Sequence, residues 1–158
     1  MTKAVCNRAM QLGEEAQVIN LVTQVFREHV APLYSDEGIA EFLRYAEQDA
    51  LRERAERNHF VLVATASHRL IGAIEVRDYS HISLLFVDTA WQRRGIAREL
   101  CSRALTICRK RRPELQRVDV NASPNAVPAY ERLGFRRLGP EQIKNGIRFV
   151  PMALDLSE

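Results

Sequence analysis

Gln92-Arg93-Arg94-Gly95-Ile96-Ala97, followed by Arg98, is the stretch of this chain whose residue types point most directly to chemistry. It joins an apolar run ending at Val87 to a helical pattern that begins near Gly95 and continues past Leu100. A helix start leaves main-chain N–H groups unpaired and carries a partial positive charge. It binds anions where the backbone can be approached closely. Gly95 has no side chain to block that approach, Ala97 blocks little, and Arg93, Arg94 and Arg98 add formal charge. Successive amides in such a turn can converge on phosphate oxygens. On these residues alone the competing reading is an ordinary helix terminus, with Gly95 serving the turn and the arginines solvated.

The elements that must position this turn follow from hydrophobic periodicity. Residues 3–9 read as a short first strand. Val18, Leu21, Val22, Val25 and Phe26 recur at helical spacing within residues 14–30. Pro32 and Gly38 interrupt the pattern, and Ser35 before Asp36 and Glu37 reads as the cap and acidic first turn of a second helix over about residues 36–57. Strands are expected at 59–66, 70–77 and 81–88, rich in β-branched and aromatic residues and joined by short polar turns, which suits an antiparallel meander. The third is apolar on both faces and should be central. A helix over about 94–111 turns Ile96, Leu100, Ala104, Ile107 and Cys108 inward. A strand at 117–123 and a short helix at 125–134 follow, with Asn125 as cap and Gly134 as stop. Residues 135–138 begin another strand, and Asn145-Gly146 turns the chain into a hairpin with 147–154. This order predicts an α/β (α+β) fold, a mixed and mostly antiparallel sheet with helices on both faces.

Composition narrows the classes. The chain has 158 residues, 46% of them hydrophobic, which suits one domain with a sizeable core. No apolar run approaches the roughly 18 residues of a membrane span, and the first residues lack the apolar stretch of a signal peptide. A soluble, cytoplasmic protein is the expectation. The three cysteines fit no disulfide or zinc spacing, and Cys101 and Cys108 should pack as small hydrophobes. The net charge of +3 fits a nucleic-acid partner, an anionic cofactor or no particular partner. The basic run at 109–117 sits at a helix C-terminus, where it complements the dipole, so nucleic acid is the less favoured partner. No phosphate loop, nucleophile elbow or zinc-binding helix motif is present, and no metal is invoked.

A second stretch changes the weight of the first. "VNASPNAVPAYERLGF" (120–135), taken with "LLFVDTAWQRRGIAREL" (84–100), resembles the GNAT superfamily of acyl-CoA-dependent N-acyltransferases. There a strand leads to Gln/Arg-x-x-Gly-x-Gly/Ala at a helix start, matched here by Gln92, Gly95 and Ala97. A later strand with Asn leads to a Tyr-Glu-Lys-Leu-Gly-Phe helix, matched by Asn121 and by Tyr130 through Phe135. The likeness runs from Phe60 to Leu154 and is weak over the first helices. It implies one N-acetyltransferase domain over 1–158, with a variable part at 1–57 and a cofactor core at 58–154. It also implies acetyl-CoA as cofactor, its pyrophosphate at Gln92, Arg93, Arg94, Gly95, Ile96, Ala97 and Arg98. The pantetheine arm would lie between splayed strands, against the main chain of Leu85, Phe86 and Val87 on one side and against Asn121 and Asn125 on the other. Arg132 or an arginine of the 109–117 run would meet the 3′-phosphate.

The same resemblance places Tyr130 near the thioester sulfur as a general acid, and makes a backbone N–H near Val87 the oxyanion donor. It sets His81 where some relatives carry a catalytic carboxylate. An imidazole titrates near neutrality and can take a proton directly or through water. Glu75 is the rival base. If Arg77 pairs with His81, Glu75 faces Ser83 and shares the face of His81; if Val76 does, Glu75 points away. Otherwise Glu75 is an edge-facing or solvated carboxylate. Ser83 and Tyr34 are candidate substrate contacts, while Phe42 reads as core and Trp91 as packing at the helix mouth. The expected function is acetyl transfer from acetyl-CoA to a primary amine on a small molecule or peptide, in a protein that can be a homodimer. A non-catalytic acyl-CoA sensor and a small basic nucleic-acid-binding module are the alternatives.

Overall fold

The computed structural model describes residues 4–156. Its elements are β1 (Val5–Ala9), α1 (Glu15–His29), α2 (Asp36–Tyr45), α3 (Gln48–Ala55), β2 (His59–Ala66), β3 (Arg69–Arg77), β4 (His81–Val87), α4 (Ile96–Arg111), β5 (Arg117–Ala122), α5 (Val127–Arg132), β6 (Arg136–Arg137), β7 (Gln142–Lys144) and β8 (Ile147–Asp155). Short 3-10 turns occupy Ala31–Leu33, Thr89–Trp91 and Pro124–Ala126. The strands lie in the order β1-β2-β3-β4-β5-β8-β6, with β7 paired to β8. Every pair is antiparallel except β4 with β5. The meander β2-β3-β4 and the central place of β4 agree with the sequence pattern.

Alternation along the strands feeds two cores. Leu62, Ile74, Val76 and Ile82 pack with Leu100, Cys101 and Cys108 of α4 and with Tyr130 of α5. On the other face Val61, Val63, Ala73 and Leu84 pack with Val18 and Val22 of α1 and with Leu51 of α3. Leu51 and Leu100 have no exposed surface, and burial of such a side chain stabilises by about 1.5–3 kcal/mol. Cys101 and Cys108 are buried among these apolar groups and Cys6 is exposed.

Several boundaries differ from the sequence reading. The helix expected over 36–57 is two helices, because Glu47 is extended (φ −81°, ψ 146°) between α2 and α3. In one straight helix, the five steps from Ala46 to Leu51 would separate them by about 140° around the axis. The break lets both turn to the sheet, where both are buried. It is sealed by Arg54, whose Nη1 donates to the Tyr45 carbonyl at 2.7 Å, one of the acceptors that a helix end leaves unpaired. Ser35 does cap α2, its hydroxyl accepting from the Gly38 amide at 3.3 Å. Asn125 caps nothing. It lies inside the Pro124–Ala126 turn, and α5 begins at Val127 without a side-chain cap bond. Pro124 and Pro128, with φ already set for a helical turn, start these turns instead. Strand β6 is only two residues long. Leu138 N–H still donates to Pro151 O at 2.8 Å, but proline has no N–H with which to continue the ladder. Lys3, the expected first residue of β1, lies outside the described residues.

Candidate active site

The site grows from the way β4 parts from β5. The two strands run side by side but pair only at His81↔Asp119 and Ile82↔Val120. Beyond that point β4 stays with β3 as far as Val87, and β5 stays with β8 as far as Ala122. A fork opens in the middle of the sheet, with unpaired strand edges facing each other from Ser83 and Asn121 onward. A bulge in β4 explains the divergence. Val76 pairs with Ile82 but Glu75 pairs with Leu84, so Ser83 is the extra residue. Bulges bend a strand and increase its twist, and this one falls where β4 leaves its parallel neighbour.

Beyond the fork, the chain turns into α4 through left-handed residues. Asp88 accepts from the Ala90 amide at 2.9 Å and from Arg69 Nη2 at 2.8 Å, which fixes the start of the Thr89–Trp91 turn. Gln92 Nε2 reaches back to the Val87 carbonyl at 3.1 Å. Arg93 (φ +64°) and Gly95 (φ +83°) are both left-handed, and Gly95 is the N-cap of α4. The amides of Arg93 through Arg98 find no main-chain acceptor among the described residues. A Cβ added to Gly95 would meet nothing within 4 Å, so the space beside Gly95 is open. The Arg94 guanidinium lies 5.0 Å from the centre of the Trp91 ring. Arg98 Nη2 donates to the Arg132 carbonyl at 3.0 Å, joining the helix mouth to α5. Ile96 is buried and Ala97 half-buried, while Asn121, Asn125 and Arg132 are exposed.

Tyr130 shares its apolar cluster with Val87 and Ala122, the last residues of the two fork strands. Its ring meets Phe135 edge-on at 5.3 Å. Burial, with Cys101 nearby, pushes its phenol above the ordinary value, so it stays protonated at neutral pH. Leu85 and Val87 pack toward that side, and Phe86 toward α1–α3.

His81 stands at the closed end of the fork. Its Nδ1 lies 2.5 Å from Asp119 Oδ1. That hydrogen bond holds the Asp119 carboxyl below the usual range, assisted by Arg117 and Arg77. Arg77 does pair with His81, so Glu75 shares its face, but the bulge places Leu84 opposite Glu75. Ser83 Oγ instead donates to the Glu75 carbonyl at 3.3 Å. The Glu75 carboxylate is not solvated. It is 1% exposed, holds Arg54 through two bonds of 2.8 and 3.0 Å, and lies 2.7 Å from His59 Nδ1. Tyr34 is half-buried, edge-on to Phe26 at 5.7 Å, and burial raises its phenol to about 12 against the opposing influence of Arg148. Phe42 stacks on Phe26 at 3.9 Å as a core residue.

The structure thus brings together His81, Ser83, Glu75 and the fork, and separately the turn with Arg98, Arg132 and α5. Sequence reasoning missed Asp119, Arg54 and His59. Asp119 alternates with the inward Val118 and Val120, which marks it as facing the other side, but nothing local marks its partner.

The model of the acetyltransferase (GNAT) domain matches residues 30–156. The chain belongs to the GNAT acetyltransferase family. By that membership it is an acetyl-CoA-dependent N-acetyltransferase, as its motifs suggest. No curated protein matches the acetyltransferase in sequence. Among solved structures, it is similar to the PaiA N-acetyltransferase of Thermoplasma acidophilum in complex with coenzyme A, at 20% identity and a TM-score of 0.76 over 96% of this chain and 99% of that one. A GCN5-related N-acetyltransferase of Rhodopseudomonas palustris gives 17% identity and 0.76 over 99% of both chains. An aminoglycoside 6′-N-acetyltransferase complexed with coenzyme A gives 11% and 0.70 over 97% of this chain and 98% of that one. At these identities the likeness establishes the fold. No described helix of the acetyltransferase is long and apolar enough to cross a membrane.

Proposed function

We propose that this acetyltransferase moves the acetyl group of acetyl-CoA directly to a primary amine of a small molecule or peptide. The carrying observation is that a fork with unpaired strand edges leads straight into a turn whose successive amides have no main-chain acceptor among the described residues, with open space beside Gly95. A diphosphate suits such amides at a positive helix end. An extended pantetheine arm suits unpaired main-chain edges, as an added strand would. In this reading the residues from Gln92 to Arg98 hold the diphosphate, Leu85 to Val87 and Asn121 face the arm, and Asn125 and Arg132 flank it. Two of the neighbours named above are complexes with coenzyme A, which supports the choice of cofactor. When bound, the cofactor supplies an activated acyl group.

The chain's own residues then handle protons and charge. His81 takes the proton of the acceptor amine, for which a neutral imidazole is suited at neutral pH. Tyr130 gives a proton to the leaving sulfur, a role for which its raised phenol is in the right form. An amide near Val87 steadies charge on the acyl oxygen. Glu75 is bound on two sides by Arg54 and His59, and the reading gives it a supporting place. Ser83 and Tyr34 border the acceptor side. The buried free thiols Cys101 and Cys108 support a reducing, cytoplasmic setting.

The test is thiol release from acetyl-CoA with tyramine, spermidine, kanamycin and a tripeptide bearing a free N-terminus, paired with calorimetry of coenzyme A binding. Binding and turnover with at least one of these amines is the expected result. Tyr130→Phe should lower kcat by about 10²-fold and leave the Kd for coenzyme A within about twofold, because the lost hydroxyl acts in transfer. Absence of both binding heat and thiol release would overturn the proposal.

A further inference from the structure

We propose that Asp119 is a positioning residue that holds His81 in the tautomer able to accept a proton at Nε2. The inference rests on the reading of His81 as the proton acceptor. It is carried by register and by hydrogen-bond chemistry. His81↔Asp119 is the first of only two pairs joining β4 to β5. The Asp119 amide donates to the Ser80 carbonyl at 3.0 Å, and Asp119 pairs with Ala153 of β8 on its other side. The carboxylate is therefore anchored at the closed end of the fork.

An ionised carboxylate only accepts hydrogen bonds. With Asp119 Oδ1 at 2.5 Å, His81 Nδ1 must be the donor. In a neutral imidazole the other nitrogen, Nε2, is then left with its lone pair. During transfer the amine proton goes to that lone pair, Nδ1–H stays with Asp119, and the carboxylate remains ionised beside the new imidazolium. A tether serving stability alone is a poor explanation. The Asp119 side chain is 40% exposed, and exposed ion pairs contribute little. The other charged groups around the pair are Arg77 of β3 and Arg117 of β5, both of which favour an ionised Asp119. Farther along β3 the Glu75 charge is occupied by Arg54 and His59, and the phenol of Tyr45 on α2 is kept protonated by burial.

The experiment compares the full-length wild type with Asp119→Asn, Asp119→Glu and His81→Ala. In the wild type, nitrogen NMR should show neutral His81 protonated at Nδ1. In Asp119→Asn the amide can donate to Nδ1, so the proton should move to Nε2. With the fastest acceptor of the amine panel, kcat should fall roughly a hundredfold while coenzyme A affinity stays within about twofold. Asp119→Glu should recover part of the rate. An Nε2-protonated His81 in the wild type overturns the proposal whether or not the variants fold. An inactive His81→Ala beside a fully active Asp119→Asn overturns it too, yet leaves the base assignment standing. A fully active His81→Ala overturns the base assignment and the proposal with it.

Discussion

Replacement of Gly95 by alanine and by glutamate separates backbone strain from charge at the helix mouth. Gly95 is left-handed at φ +83°, and an added Cβ has no neighbour within 4 Å. No clash therefore accompanies Gly95→Ala. Its cost is the left-handed conformation alone, about 1–2 kcal/mol, or roughly 2–8 °C in melting temperature for a chain of this size. Gly95→Glu carries the same strain and adds a negative charge beside the free amides. Charges about 5 Å apart interact by about 1 kcal/mol in water and about 3 kcal/mol near a protein surface. Gly95→Glu should thus bind coenzyme A about 5 to 150 times more weakly than Gly95→Ala, while melting no lower, because a carboxylate at a helix N-terminus is itself stabilising. The gap should narrow as salt rises, since added ions screen exposed charges. Calorimetric titration at two ionic strengths, with a thermal melt of each variant, makes the measurement. Equal affinity of the two variants would refute the idea that an anion sits at this turn.

Two further expectations concern the face opposite α4. Glu75→Ala leaves Arg54, 15% exposed, without its carboxylate, and breaking such a buried pair should cost about 3–5 kcal/mol in urea unfolding; a loss under about 1 kcal/mol would show that the cluster is not tightly coupled. At Gly38 a Cβ would lie 2.1 Å from the Gly146 carbonyl oxygen, which belongs to rigid backbone, so Gly38→Ala should destabilise by about 1–3 kcal/mol. It should also speed amide exchange across Gln142–Lys144, and unchanged exchange would count against contact between α2 and the β7–β8 turn.

Much of the frame was legible because its signals are local. Val61 and Val63 alternate with Leu62 and Ala64, and that period of two places β2 between two cores. Ser35 reads as a cap from the acidic residues after it, and Asn145-Gly146 as a hairpin turn, with both residues left-handed as expected. What stayed hidden depends on contacts distant in sequence. The break between α2 and α3 follows from the phase in which Ala46 and Leu51 must meet the sheet. The surroundings of Glu75 depend on one extra residue in β4, and a bulge shifts the count without changing residue types. Asp119 meets His81 across 38 residues, through a parallel pairing whose register is set by the length and packing of α4. The turn could be singled out as a candidate from sequence because the missing side chain of glycine and the charge of arginine are written in the residue types; the partner of His81 could not, because an aspartate on a strand gives no sign of what it faces.

The seam between β4 and β5 has a mechanical side. With only two register pairs across it, the sheet is two slabs joined at a short weld, β1–β4 on one side and β5–β8 on the other. Across most of that line, main-chain bonding gives no resistance to twisting of one slab against the other, and stiffness falls to α4 and to whatever bridges the opening. A molecule that spanned it would act as a splint, and the rigidity of the fold would then rise and fall with its occupancy.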